Sequence, residues 1–277
     1  MKTMEERFLD SFYAGVYGDI LGSVYEFLHK DDIPQNLSVD MILQNKTNVF
    51  KNPVGTFTDD TILMLCAMAS FNETGYFDAA NQMKWIGKYI LEGVFSCTKK
   101  CFDIGHSTLD SYDEWESNEC DIPQKNQRQG NGVLMRLAPY AYYCAKNKLD
   151  IHDFSVQVTD LTHSKFCYET TEKMMTILVS YYKGEGVAIT RDYGKNESVN
   201  GHHWGSLNAA VDSLDTSVTT TILNAIKLGG DTDTNACIAG QIAGAMYGID
   251  FNVSALNLKT DAIVTLESFI QLQTTHK

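Results

Sequence analysis

The chain has 277 residues, of which 44% are hydrophobic, and a net charge of −13 at neutral pH. Enough apolar residues for a sizeable core exclude a disordered polypeptide, and the acidity excludes general nucleic-acid binding, which needs clustered Lys and Arg against phosphate. Seven cysteines at scattered spacings exclude a disulfide framework and point to a reduced, cytoplasmic setting.

The N-terminal stretch MKTMEERFLD carries acidic residues where a signal peptide has its apolar core, and no apolar run is long enough to span a membrane. Residues 5–28 repeat apolar positions at Phe8, Leu9, Phe12, Val16, Ile20, Leu21 and Val24, which predicts a helix with a break near Gly22. Residues 59–71 are apolar on nearly every side and predict a central helix. An amphipathic helix follows at 78–92. Another is expected at 133–147, where Pro139 is tolerable only near the start or at a kink. Helices are further expected at 166–183, 206–214, 219–228, 234–247 and 260–273, with polar, Gly-rich loops at 29–57, 96–132, 184–205 and 248–258. No stretch alternates with period two, so the expected fold is all-α. Without a linker or an internal repeat, one domain over 1–277 is expected, and a monomer.

Two acidic-threonine clusters carry the functional signal: Thr58-Asp59-Asp60-Thr61 inside GTFTDDTILML, and Asp231-Thr232-Asp233-Thr234 inside LGGDTDTNACIAGQIAGAMYG. Taken singly, each reads as a helix cap, because Thr and Asp are favoured at helix starts. A cap uses one side chain, whereas each cluster supplies four that bear oxygen. Oxygen-only clusters suit hard divalent cations. Gly240, Gly244 and Gly248 recur every four residues and leave a face open to close approach. The expected neighbour is the apolar helix at 61–71, which would bring the two helix starts together. Glu26 reads from its surroundings as an exposed glutamate at a helix end. The lone CxxxC of Cys97 and Cys101 is a weak zinc signal, and Cys66, Cys144, Cys167 and Cys237 read as core thiols.

Six motifs in order span nearly the whole chain: GDILGSVYE at 18–26, GTFTDDT at 55–61, FDIG at 102–105, GNGVLMRLAP at 130–139, LTHS at 161–164 and LGGDTDTNACIAGQIAGAMYG at 228–248. Together they resemble the ADP-ribosylhydrolase family, and FDIG is most similar to its dinitrogenase reductase-activating branch. The resemblance implies a compact bundle of orthogonal helices, two divalent ions (Mg²⁺ or Mn²⁺) and a cleft for ADP-ribose. It implies metal ligands at Thr58, Asp59, Asp60, Asp231, Asp233 and Thr234. It places Glu26 at the metal site and Asp103 beside the scissile bond, so that Asp103, Asp60, Asp233 and Glu26 form the catalytic set. It assigns substrate contacts to Gly130, Asn131, Gly132 and His163. For His163 the plainer reading is a backbone hydrogen bond at a helix start; Arg136 suits either a phosphate or a structural ion pair.

The implied activity is removal of ADP-ribose from a modified protein side chain, arginine first, with ADP-ribose as product. Rival readings are hydrolysis of a small ADP-ribose conjugate and a catalytically silent ADP-ribose-binding module. One segment departs from the family pattern. At 201–210 the chain reads GHHWGSLNAA, with His202, His203 and Trp204 at an aromatic position and Asn208 where a glutamate is usual. The identity of the modified amino acid rests on that side of the cleft.

Overall fold

The computed structural model describes residues 2–117, 127–192 and 195–275. Residues 118–126 and 193–194, inside two of the expected loops, lie outside it, as does Cys120. Twelve helices follow along the described residues. They are α1 (Met4–Gly22), α2 (Val39–Leu43), α3 (Asp59–Thr74), α4 (Ala79–Glu92), α5 (His106–Glu116) and α6 (Leu137–Asn147). The second half holds α7 (Ile151–Asp160), α8 (Tyr168–Tyr182), α9 (His203–Ser213), α10 (Val218–Ile226), α11 (Thr232–Tyr247) and α12 (Thr260–Thr275). Two isolated β-bridges, Thr47 with Pro53 and Gly130 with His202, are the only extended pairing among the described residues. The all-α expectation holds. No helix of the described residues is long and apolar enough to cross a membrane.

Local chemistry explains the boundaries. Thr3 and Glu6 form a capping box that starts α1, and Gly75 and Gly93, both left-handed, end α3 and α4. Pro139 is the third residue of α6, which begins only at Leu137 after a 3₁₀ turn over Leu134–Arg136. Its missing N–H is one of the donors a helix start leaves unused. Three helices lie where none was expected: α2, α5 and α7. α5 buries Ser107, Thr108, Ser111 and Tyr112, a face of small polar residues that gives no apolar period.

α3 is central, as its all-round apolar pattern requires. Ile62, Leu63, Met64, Leu65, Met68 and Phe71 are buried. Phe71 stacks on Tyr143 with ring centroids 4.4 Å apart and touches Phe269 of α12. Each such side chain contributes about 1.5–3 kcal/mol. All six described cysteines are free.

The glycine face of α11 finds a different neighbour from the one expected. It packs along α1, not α3. A Cβ on Gly240 would stand 2.3 Å from the Ala14 carbonyl oxygen, and one on Gly244 would stand 2.3 Å from that of Asp10. The face of α1 answers in kind: a Cβ on Gly18 would lie 2.2 Å from the Ala236 carbonyl oxygen, and one on Gly22 2.4 Å from that of Thr232. Two backbones therefore touch without side chains between them. The Gly-rich α1 was the better partner because close approach needs small residues on both helices, and α3 carries bulky ones. Gly18→Ala should force the helices apart and cost about 2–4 kcal/mol. Urea unfolding with an unchanged midpoint would contradict this contact.

Candidate functional site

The starts of α3 and α11 meet at the floor of a cleft of about 1050 Å³, at the upper end of the range for small-molecule sites. Thr58 Oγ1 lies 3.5 Å from an Asp233 carboxylate oxygen, and Thr234 Oγ1 donates to Asp60 Oδ2 at 3.4 Å. So the two sequence clusters do face each other. Neither Thr58 nor Asp231 makes a side-chain cap bond to its own helix. The capping alternative fails on that observation.

Asp19 of α1 replaces the missing cap. Its Oδ1 accepts from Thr58 N and Thr58 Oγ1, both at 2.9 Å. Its Oδ2 accepts from Thr61 N at 3.1 Å and Thr61 Oγ1 at 2.6 Å. Asp19 is fully buried, and burial raises its carboxyl to about 6 against the pull of these four donors. The sequence reading passed over Asp19. The signal was an aspartate inside an apolar helix directly after Gly18, a place where a carboxylate stays only if donors await it.

Glu26 overturns its surface reading. α1 ends at Gly22, and the following turn folds Glu26 inward until it is 5% exposed. Phe27 N donates to Gly230 O at 2.7 Å, and Gly230 N donates to Leu28 O at 2.8 Å. These bonds tie the turn to the chain entering α11. Gly229 and Gly230 have φ of +72° and +75°, and a Cβ on Gly230 would lie 2.2 Å from Asn200 Oδ1. Only glycine serves there.

Asp103 joins the floor from the segment before α5. Tyr89, buried on α4, donates its hydroxyl to the Asp103 carbonyl oxygen at 2.6 Å and fixes that backbone. One oxygen each of Glu26, Asp103 and Asp233 lies within 4.8 Å of the others. Asp59 accepts from Gly105 N at 3.4 Å. Asp231 stands at the wall and accepts from Asn131 Nδ2 at 2.8 Å.

The electrostatics report crowding. Burial, then Asp233 and Asp103, pushes the Glu26 carboxyl far above the usual carboxylate range. Burial, then Asp59 and Asp233, raises Asp103 to about 11. Burial, then Asp19, raises Asp59 to about 7. Asp60 and Asp233 are raised well above the ordinary value, by burial first and next by Asp233 and Asp231 respectively. Asp60 Oδ1 and Glu26 Oε2 are buried without a hydrogen-bond partner. Buried carboxylates that repel one another and leave oxygens unpartnered fit a divalent cation. The acid cluster can hold a metal.

Gly130, Asn131, Gly132 and His163 all line the cleft. A Cβ on Gly130 would lie 3.4 Å from His163 Nε2. His163 Nδ1 is 2.8 Å from Thr162 Oγ1, which accepts from Arg136 Nη2 at 2.6 Å. Burial and then the Arg136 charge hold His163 well below its usual range, so it is neutral. His163 N also donates to Thr159 O at 2.8 Å, a bond at the C-terminal end of α7 and not at a helix start as the plainer reading had it. Arg136 is buried off the cleft, and its partner is a hydroxyl where a phosphate or a carboxylate was expected. Of the departing residues, His202 lines the cleft, whereas His203 bonds Thr170 Oγ1 and Asn208 bonds the Asp192 backbone.

Removing Asp19 tests its capping role. Asp19→Ala leaves the Thr58 and Thr61 backbone N–H groups and the Thr61 hydroxyl buried without the acceptor they now use, and should cost about 3 kcal/mol or more. A denaturation midpoint equal to that of the unmodified chain would rule the role out.

Comparisons with known proteins agree with this geometry. The sequence model of the family described as ADP-ribosylglycohydrolase matches residues 1–191 and 185–256. ADP-ribosylarginine hydrolase Tri1 of Pseudomonas putida (strain GB-1) is 27% identical over 258 residues, which cover 84% of this chain and 68% of that protein. ADP-ribosyl-[dinitrogen reductase] glycohydrolase of Rhodospirillum rubrum is 25% identical over 287 residues, 96% of this chain and 94% of the other. A solved structure, an ADP-ribosylglycohydrolase-related protein complex, shares the fold at a TM-score of 0.78 and 23% identity over 100% of both chains. The chain belongs to the ADP-ribosylglycohydrolase family of enzymes, which hydrolyse the glycosidic bond to ADP-ribose.

Proposed function

We propose that the chain removes ADP-ribose from modified arginine side chains of proteins, with two divalent cations, Mg²⁺ or Mn²⁺, at the cleft floor. The observation that carries this reading is the convergence of Glu26, Asp103 and Asp233 within 4.8 Å, buried and crowded by further carboxylates. Thr58, Asp59, Asp60, Asp231, Asp233 and Thr234 would hold the cations, with Glu26 reaching them. When bound, such ions supply Lewis-acid charge for a substrate oxygen or a water.

The chain's own groups divide the remaining work. The bond to be cut joins ribose C1 to a guanidinium nitrogen; cleavage returns the electron pair to nitrogen, while a water oxygen bonds to C1 and gives up a proton. Burial and the neighbouring Asp59 and Asp233 raise the Asp103 carboxyl, which favours its keeping a proton to pass to that nitrogen. Gly130, Asn131 and Gly132 form a wall along which ADP-ribose can lie. Asn131 is fixed by Ser206 and Asp231, each 2.8 Å from its Nδ2. The first turn of α5 lines the same cleft, and a helix start favours an anion such as a pyrophosphate. The relatives named for ADP-ribosylarginine and ADP-ribosyl-dinitrogen reductase support arginine as the acceptor.

ADP-ribosylarginine protein incubated with the chain and Mg²⁺ or Mn²⁺ should release ADP-ribose, and EDTA should stop it. No release with metal bound would refute the reading. Asp103→Ala should lower turnover about a hundredfold or more while calorimetry still shows metal binding; loss of both would place Asp103 among the ligands.

A pH dependence follows as well. The folded-state carboxyl of Asp59 sits at about 7, above its ordinary 3.8. Its contribution to stability is therefore fully present below 3.8 and lost as pH rises through about 7. Cations relieve the repulsion. The melting temperature gained on adding Mg²⁺ or Mn²⁺ should widen between pH 4 and pH 7. A gain that stays constant over this range would show that ion uptake does not displace protons from the floor, and no gain at all would show that the floor does not take up the ions.

A further inference from the structure

Phe27 is the anomaly at the rim. It follows Glu26 in the turn after α1, lines the cleft, and remains 72% exposed. Its φ is +66°, a left-handed conformation that costs a bulky residue free energy and that glycine adopts freely. Folding alone gives no reason for phenylalanine here. The backbone bonds to Gly230 and from Gly230 to Leu28 would form equally well with glycine at this position and would still turn Glu26 inward. The ring is not in the core either, so it contributes little by burial. A strained backbone carrying an exposed aromatic beside an active cleft points to contact with something that enters the cleft.

The neighbours say what that is. Glu26 is the adjacent residue, and Asp103 shares its acid cluster. An exposed aromatic face next to carboxylates suits a planar cation, which stacks on the ring while its N–H groups turn to the acids. We infer that Phe27 is a specificity residue that stacks on the guanidinium of the ADP-ribosylated arginine as it stands over the floor. The inference rests on the proposed arginine acceptor and adds the side chain that selects it.

The ratio of kcat/KM for an ADP-ribosylated arginine peptide to that for an ADP-ribose conjugate with an uncharged leaving group reads this role. Phe27→Gly should lower the ratio by about fivefold, on the scale of a partly exposed cation–π contact, with a melting temperature no lower than before. Phe27→Tyr should restore it, and Phe27→Leu should not, because the aromatic face and not apolar bulk is required. A ratio unchanged in Phe27→Gly, or one that Phe27→Leu restores, overturns the inference and leaves the hydrolase reading standing. Absence of ADP-ribose release from the arginine peptide by the unmodified chain would remove both.

Discussion

Repulsion among buried carboxylates is the constraint on which the rest of the structure depends. Two unit charges about 4 Å apart repel by about 4 kcal/mol at the effective dielectric of a protein site. A helix cap contributes about 1 kcal/mol. The acid cluster formed where α3 and α11 begin is thus far too costly to exist for capping. The structure agrees, because Thr58 and Asp231 leave their own helices uncapped. The capping of α3 passes instead to Asp19, a carboxylate reached from another helix, and Asp60 Oδ1 and Glu26 Oε2 remain without donors.

The floor is assembled from one side by α1. That helix supplies Asp19, and the turn after it supplies Glu26. It also offers the glycine face that lets α11 lie backbone to backbone against it. The position of Asp233 relative to Asp19 and Glu26 is thereby set by a contact that carries no functional side chain. A methyl group on that contact would move the start of α11 and loosen the carboxylates together, so packing and chemistry are coupled through Gly18 and Gly22.

Much of this was legible in the sequence, and the limits have physical causes. The helices with an apolar period or an all-apolar run, α3, α4, α8 and α11, fall where expected. α5 did not show, because its buried face is Ser107, Thr108, Ser111 and Tyr112, and small polar residues give no hydropathy signal. The two acidic clusters announced the floor by repeating one pattern of oxygen ligands. The burial of Glu26 showed only through the family resemblance and not in its local surroundings, since it depends on a turn tied to Gly230, two hundred residues away along the chain. Asp19 was hidden for the same reason: its four donors belong to α3 and to the residue before it.

Within the segment that departs from the family pattern, His202 lines the cleft and Asn208 does not. Asn208 is buried in α9, and its side chain accepts from Asp192 N and donates to Asp192 O, both at 3.0 Å. A glutamate has no N–H to donate, so it could make only the first of these bonds. Further along, Val199 O accepts from Asp231 N and from Asn235 Nδ2, each at 3.0 Å. Asn196, Ser198 and Asn200 line the cleft, as Phe27 does. Asn208 therefore does not touch what enters the cleft. It is held to the Asp192 backbone, whereas Val199, beside the residues that do line the cleft, is held by the start of α11.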